Sequence, residues 1–446
     1  MNRNIFHIYI IYFFCFFTLT LLAQGTWEVK ESPTGNSLQS VSFVDSLNGW
    51  AVGDSGTIIH TSNSGNDWVV QDSKTENKIV NVFFLNRNLG WASSWNLSVD
   101  PFGTVLLKTT NGGEEWNLIP YRERELLINC ILFTDSLTGW MGGSPHALVK
   151  STDGGISWRH AYIDSATLVY LPVLDIEFYD SNYGFACGGT LDNPSVMWKT
   201  TNGGDVWYAS RQTNVPDQIR DITVFDSLNV IGVGGDFEIT GVGVIRTSDG
   251  GLFWEYEPVN IFGVSTDLAF RNDYEGWATI SSLKSFMFSL DSGKTWTQQV
   301  APDSLAINDI CFTDSLHGFA VGNKGAILKY IPPVVNSVEN NEEIPLSFYL
   351  YQNYPNPFNP STKIKYKIFS VGTSFMKFVK LRVYDILGNE IATLVNEEQP
   401  PGNYEVEFNS HSGLPSGEAR NLPSGVYFYR LQAGSYTKTM KMLMLK

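Results

Sequence analysis

Between residues 26 and 330 the chain is a succession of short apolar stretches broken by two kinds of polar turn. One kind is eight residues long and ends on tryptophan. Its copies are TSNSGNDW to Trp68, TTNGGEEW to Trp116, STDGGISW to Trp158, TTNGGDVW to Trp207, TSDGGLFW to Trp254 and SLDSGKTW to Trp296, and the tryptophans recur every 42 to 49 residues. The other kind is led by Asp or Asn and ends on a Gly-aromatic pair: DSLNGW to Trp50, NRNLGW to Trp91, DSLTGW to Trp140, DSNYGF to Phe185, NDYEGW to Trp277 and DSLHGF to Phe319. A seventh, DSLNVI from Asp226, keeps the turn and loses the pair. A repeat of this length is one supersecondary unit that cannot bury its apolar face alone and stacks on its neighbours.

The pattern predicts four short strands per unit, in the first unit over 40–45, 49–53, 56–62 and 67–72. In the Trp-ending turns, Asn63, Asn111, Asp153, Asn202, Asp249 and Asp291 stand where a side-chain oxygen can accept backbone N–H groups just ahead. A glycine supplies a positive φ, and the tryptophan opens the fourth strand and is expected between neighbouring units. The seventh unit has three strands, ending at ILKY before Ile331; its fourth is expected from Thr26 to Lys30, because GTWEVK resembles the segment that opens at each turn tryptophan. Joining the chain ends in one sheet removes exposed edges. The expected fold is all-β, a seven-bladed β-propeller closed by an N-terminal strand over 24–330. A six-bladed ring would leave a strand unpaired on each side.

Residues 331–345, IPPVVNSVENNEEIP, lack alternation and read as a linker. Beyond them, in 346–446, KIKYKI, VKLRVYD, YEVEF and GVYFYRL alternate polar and apolar positions, which predicts a small antiparallel β-sandwich. Composition breaks at the same boundary: all 13 tryptophans precede residue 297, and formal charge is −17 over 24–330, −3 over 331–345 and +4 over 346–446. So acidic a body repels phosphate backbones, which argues against nucleic acid as a partner. Residues 1–23 read as a secretory signal, with Arg3, an apolar run from Ile5 to Leu22 and a cut after Ala23; the same run could serve as an uncleaved anchor, and export follows either way. Outside that leader the cysteines are Cys130, Cys187 and Cys311, which cannot all pair. Cys130 and Cys311, in INCILF and NDICFT, read as buried thiols at equivalent places.

The repeats resemble the bacterial neuraminidase or Asp-box repeat. They are more closely similar to the seven-bladed propellers of the photosystem II stability and assembly factor family, through GWAVG at Gly49 to Gly53 and the six Trp-ending turns. That resemblance implies the fold. Nothing in the residues argues for photosynthesis, and the acidic body departs from the basic patch expected in members that bind photosystem subunits. The C-terminal segment resembles the type A sorting domain of the type IX secretion system, through YQNYPNPFNPSTKIKYKI from Tyr351, LRVYDILGNEIATLV from Leu381, SGVYFYRL from Ser424 and the closing KMLMLK. The resemblance puts sorting-motif residues at Pro355, Asn356, Pro357, Phe358, Asn359, Pro360, Gly425 and Tyr427. It implies export by the type IX machinery, removal of the domain by its sortase, and release or attachment to surface lipopolysaccharide. Residues 370–377 and a second LPSG, at Leu422, depart from the pattern as insertions expected in turns.

The histidines show no metal-spaced pair, and no phosphate loop or nucleophile elbow occurs, so neither metal nor cofactor is expected. Sialidases, which carry Asp boxes, typically show an early Arg-Ile-Pro that is absent here. Topology points further: the regular turns share one face, and the irregular segments 94–103, 119–126, 189–194, 213–218 and 235–240 share the other, where variable loops on a rigid ring usually bind. There Trp95, Phe102, Tyr121 and Phe237 offer stacking surfaces beside Asp100, Arg122, Asp192, Asp236 and Glu238. The leading expectation is a secreted or surface-attached, non-enzymatic binder of an extracellular protein or glycan. The alternative is a secreted glycoside hydrolase using Asp100, Asp192 or Asp236, which needs two carboxyl groups roughly 5 to 9.5 Å apart. A self-associating component of an extracellular matrix is a third reading.

Overall fold

Seven sheets follow one another along the chain from Thr26 to Ile331, and six of them run first to fourth strand in sequence order. The computed structural model describes residues 24–333, apart from 101, 166, 191–192, 216–217 and 237–240, and residues 349–445, apart from 369–376, 400–401, 411–421 and 434–435. The expected leader, most of the expected linker and the departures at 370–376 and 414–421 lie outside the described residues. The chain divides after Val334 into two units.

Blade 1 comprises Leu38–Phe43, Gly49–Gly53, Ile58–Thr61 and Val69–Gln71; blade 2 Lys78–Phe84, Gly90–Asn96, Gly103–Thr109 and Asn117–Arg124; blade 3 Leu127–Phe133, Gly139–Ser144, Ala147–Ser151 and Arg159–His160. Blade 4 comprises Val173–Phe178, Gly184–Gly188, Val196–Thr200 and Val206–Arg211; blade 5 Ile219–Val224, Val230–Asp236, Gly241–Thr247 and Glu255–Pro258; blade 6 Leu268–Phe270, Gly276–Ile280, Ser285–Ser289 and Thr297–Val300. Blade 7 is Ile307–Phe312, Gly318–Gly322 and Ile327–Ile331, completed by Thr26–Lys30, which pairs antiparallel with Trp27 opposite Tyr330. This is the expected seven-bladed propeller closed by its N-terminal strand. One addition was not expected: Tyr162–Ile163 pairs in parallel with the outer strand of blade 4, as a fifth strand.

Burial is graded along each blade. The second strands of blades 1, 4, 6 and 7 are buried at every residue, because small residues alternate with one aromatic between two flanking sheets. Outer strands such as Val69–Gln71 lie mostly open. Between blades, the aromatic of three Gly-aromatic pairs lies flat on the phenylalanine that ends the next blade's first strand, Trp50 on Phe84 at 3.5 Å, Trp91 on Phe133 at 3.6 Å and Phe319 on Phe43 at 3.7 Å, while Trp140 is tilted by 33° on Phe178. The tryptophan of the next blade's turn meets that phenylalanine edge-on, as Trp116 does Phe84 and Trp207 does Phe178. The glycine before it must be glycine: at Gly204, φ is +75° and a Cβ would lie 2.3 Å from Trp140 Nε1.

Both turn types do share one face, since Gly112, Gly154, Gly203 and Gly250 donate N–H to Asn88, Leu137, Asn182 and Leu228 of the neighbouring hairpin turns. On the opposite face the links from second to third strand bond the blade-to-blade links, as Asp54 N–H does to Ser37 O and Glu125 N–H to Phe102 O.

The C-terminal unit packs a three-stranded sheet (Tyr349–Leu350, Ser361–Ile368, Gly402–Asn409) and a four-stranded one (Lys377–Tyr384, Glu390–Gln399, Gly425–Ala433, Tyr436–Met444) around a shared apolar core. Glu390–Gln399 and Tyr436–Met444 were not among the expected strands. The sorting motif is built into this unit: Phe358 is buried and donates its N–H to Leu443 O, and the Asn356 side chain accepts Leu443 N–H. Tyr427, on the strand that Gly425 opens, donates to Pro423 O.

Candidate functional site

The irregular segments are more regular than their composition suggests. Residues 117–124 form one continuous strand, so Tyr121 and Arg122 are strand rather than loop residues, and the same holds for Trp95 and Asp236. The physical reason is edge pairing: the second and third strands of blade 2 continue to Asn96 and Gly103 and carry the fourth with them. Trp95 donates Nε1–H to Ile128 O of blade 3 at 2.8 Å, which fixes it as an inter-blade contact. Tyr121 packs against the core between blades 2 and 3, and withdrawal from water pushes its phenol up. Asp236 is buried. Asp100 and Phe102 are exposed, with Asp100 3.8 Å from Arg124, and Arg122 is exposed beside them. Asp192, Phe237 and Glu238 lie outside the described residues. The structure thus gathers Asp100, Phe102 and Arg122 at the rim of blade 2, while Asp236 lies three blades away.

The Trp-ending turns are held as their composition dictates. Asn63, Asn111, Asp153, Asn202, Asp249 and Asp291 each accept a backbone N–H three or four residues on, and a Ser or Thr hydroxyl two residues earlier donates to the same side chain. Those donors hold the carboxyls of Asp153, Asp249 and Asp291 below the usual range against the opposing pull of desolvation. Each turn also meets the preceding blade. Trp50 and Trp91 donate Nε1–H to Gly112 O and Gly154 O, and Lys108, Lys150, Lys199 and Lys329 donate to the carbonyls of Gly154, Gly203, Gly250 and Ser64.

Blade 7 has no such turn, because its fourth strand comes from the other end of the chain. In its place is a buried ion pair: Arg271 Nη2 lies 2.6 Å from Glu275, with side chains 6% and 5% exposed. Glu275 also accepts Trp277 Nε1–H and Tyr330 O–H, while Arg271 donates to Ser315 O of blade 7. Trp27 stacks on Phe286, meets Trp277 edge-on and lies tilted by 54° against Phe312, the phenylalanine that a turn tryptophan meets edge-on in other blades.

A set of inner residues escapes a reading of the sequence alone. In every blade one side chain of the innermost segment, at the same register, reaches across to the next blade: Ser40, Asn81, Cys130, Asp175, Asp221, Asp267 and Asp309. Each accepts the N–H of the residue after its counterpart in the next blade, with Val82, Ile131, Ile176, Ile222, Leu268, Ile310 and Val41 as donors. The ring closes because Asp309 serves Val41 at 2.8 Å. Desolvation, and then the neighbouring carboxyls, push Asp221 and Asp267 well above the usual carboxylate range, and desolvation also raises Asp175 and Asp309. One layer along, Glu177 accepts Val224 N–H and is pushed up to about 8 by desolvation and then by Asp175. The signal is present in the chain: in each first strand one polar or thiol residue directly precedes an aliphatic one. Aligning the units on their first strands exposes it, and also shows that Cys130 and Cys311 are not equivalent, since Cys311 matches Leu132. All three thiols are free, and Cys130 and Cys187 are buried. Among the described residues no three His, Cys, Asp or Glu gather as a metal-binding set.

Comparison with known proteins separates the two units. Residues 19–126, 123–264 and 255–331 match the family described as Photosynthesis system II assembly factor YCF48, and 352–446 match the Secretion system C-terminal sorting domain. The chain is 24% identical over 293 residues to the photosystem II stability/assembly factor HCF136 of Arabidopsis thaliana, covering 51% of this chain and 70% of the relative. It is 24% identical over 273 residues to the photosystem II assembly lipoprotein Ycf48 of Synechococcus sp. strain CC9902, covering 51% and 79%. A structure described as YCF48 bound to D1 peptide superposes with TM-score 0.55 at 20% identity, over 68% of this chain and 96% of that one. Virginiamycin B lyase from Staphylococcus aureus superposes with TM-score 0.56 at 12% identity, over 69% and 99%, which is likeness of fold. The C-terminal unit is a sorting domain, which implies secretion by the type IX system to the cell surface or beyond. The chain belongs to the YCF48 family of photosystem II assembly-factor propellers.

Proposed function

We propose that this chain is an exported, non-enzymatic propeller that binds a protein partner outside the cell, after signal-peptide cleavage and passage through the type IX machinery. Removal of the sorting domain by the sortase, with release or attachment to surface lipopolysaccharide, belongs to the same proposal. The observation that carries it is the use made of the polar groups: the ring carboxyls and those of the turns spend their hydrogen bonds on backbone N–H groups of the frame. Family likeness supports the partner class, because a relative's propeller is described with a peptide bound. The glycosidase reading draws no support from Asp100 and Asp236, which sit on blades 2 and 5, the first beside Arg124 and the second buried.

The test is a thermal-shift and reducing-sugar screen of the full chain against a broad polysaccharide panel. A ligand that binds only the folded state raises the melting temperature when present well above its dissociation constant. The proposal expects neither a rise nor sugar release. A saturable rise accompanied by new reducing ends would replace it with the glycosidase.

A further inference from the structure

Repetition lets each blade serve as a control for the others. The two residues between the last glycine and the tryptophan of each turn lie on the regular-turn face, and in four blades the first of the two is polar. These are Asn66 and Asp67 in blade 1, Glu114 and Glu115 in blade 2, Asp205 before Val206 in blade 4, and Lys294 and Thr295 in blade 6. In blade 3 the first is Ile156, 71% exposed and followed by Ser157, and in blade 5 both are apolar, Leu252 and Phe253, 86% and 69% exposed. The scaffold accepts two glutamates at these positions, so packing does not call for the apolar side chains. Each apolar tip is widened by a leucine of the adjoining hairpin turn: Leu137 O accepts Gly154 N–H, Leu228 O accepts Gly250 N–H, and both leucines are exposed. Leu47 and Leu316, at the matching hairpin positions of blades 1 and 7, stand without an apolar turn beside them. Contiguous exposed apolar surface rimmed by polar groups marks an interaction site.

The rim identifies the occupant. Asp135 and Asp153 flank the blade 3 tip and Asp226 and Asp249 the blade 5 tip, each accepting N–H groups from the apolar residues themselves. Those bonds hold all four carboxyls below the usual range, so they are charged at neutral pH. The nearby Lys108 and Lys199 are drawn onto the carbonyls of Gly154 and Gly250, and Lys150 of blade 3 pairs with Asp205 of blade 4. A groove of about 260 Å³ between blades 4 and 5, lined by Phe185, Trp198, Tyr208, Leu252 and Trp254 among others, offers a socket beside the blade 5 tip. We infer that the regular-turn face of blades 3 to 5 is a docking surface for a basic protein segment that presents bulky apolar side chains. This rests on the protein-binding reading above, and it moves the site to the face opposite the irregular segments.

The experiment installs Leu252→benzoylphenylalanine, or Phe102→benzoylphenylalanine on the opposite face, in the full chain within the cells that export it. Irradiation is followed by mapping of the cross-linked peptide, and that segment is synthesised and titrated against purified full chain. The inference expects a cross-link from position 252 into a Lys/Arg-rich segment of another protein. It expects L252E/F253E, which copies the pair that blade 2 already carries, to weaken the titrated peptide at least about tenfold. D226N/D249N keeps the turns, because Asn86 and Asn111 hold the same places in blade 2, and should weaken binding about threefold at ~0.1 M salt, with the difference closing at high salt. A cross-link from position 102 alone, or from position 252 into an acidic segment or a second copy of this chain, overturns the inference and leaves an extracellular protein-binding role standing. No protein cross-link from either position overturns both.

Discussion

Blades 1 to 3 and blades 4 to 7 do the same structural job with different chemistry. Around the inner ring, blades 1 to 3 supply their inter-blade acceptors from Ser40, Asn81 and Cys130, all neutral. Blades 4 to 7 use Asp175, Asp221, Asp267 and Asp309, with Glu177 one layer along. The seams differ in the same sense: Trp50 and Trp91 donate to turn carbonyls early in the ring, whereas the join of blades 6 and 7 rests on Arg271 and Glu275. The propeller therefore requires an acceptor at each place, not a charge. The half with ionisable acceptors is where the propeller's first and last strands meet, and there stability responds to single substitutions and to pH.

The largest effect should come from breaking the ion pair. Glu275→Ala leaves the Arg271 guanidinium buried without its counter-charge and strips Trp277 Nε1 and Tyr330 of their acceptor. Removing one partner of a buried pair typically costs about 3–5 kcal/mol. Denaturant unfolding of the full chain should show the propeller transition moving to markedly lower midpoint. A shift as small as that of an exposed pair such as Arg246–Glu257 would mean the closure seam is held by Trp27 alone.

Next is the pH response. Glu177 is neutral in the folded protein up to about pH 8, while in the unfolded chain it ionises near 4.5. Between those values the folded state holds more protons, so unfolding free energy falls as pH rises through the window. The ring aspartates, raised in the same direction, add to the fall. Opposing them, Asp45, Asp135, Asp153 and Asp314 are lowered, so their contribution is present above the ordinary carboxylate value and lost in acid. The propeller should therefore be most stable in mildly acidic solution and lose on the order of 1–3 kcal/mol toward pH 8–9. Glu177→Gln keeps an acceptor for Val224 N–H and should flatten the profile, as should Asp221→Asn, which copies Asn81. Melting curves from pH 4 to 9 that coincide in shape for all three proteins would remove charge from the account.

Legibility in the sequence depends on the reach of each signal. The turns and Gly-aromatic pairs are local: an Asx acceptor, a glycine and a tryptophan within eight residues state their own geometry, and the closure by Thr26–Lys30 comes from counting them. The inner ring is one residue per blade, each bonded to the blade after it, and it becomes visible only when first strands are aligned. The irregular segments mislead because polar composition reads as loop, whereas pairing with Gly103 and Val105 extends Asn117–Arg124 as a strand and turns Trp95 and Tyr121 inward. Leu252 and Phe253 stand in plain view in the chain, yet a residue's departure from its counterparts means little until the structure shows that those counterparts face solvent.

The lysine staples sharpen the comparison on a smaller scale. Lys150 donates to Gly203 O at 2.7 Å, reaches Asp205 and lies 5.3 Å over the Trp140 ring. Lys150→Met keeps most of the stem's packing and should cost about 0.5–1.5 kcal/mol, the net worth of one hydrogen bond. No loss would assign the join of blades 3 and 4 to aromatic stacking.

The smallest effect is expected where the two halves use interchangeable residues. In the Trp-ending turns the acceptor is Asn in blades 1, 2 and 4 and Asp in blades 3, 5 and 6, with the same backbone donors. Asp249→Asn retains an oxygen for Leu252 and Phe253 N–H and should move the melting temperature by less than about 2 °C near neutral pH, as substitutions at exposed sites usually do. The carboxyl it removes is held low, so any difference from wild type that comes from the charge should be present above the ordinary carboxylate value and vanish in acid. A markedly lower melting temperature would show that blade 5 depends on the charge itself, and the equivalence of the six turns would fail at the blade whose tip is most exposed.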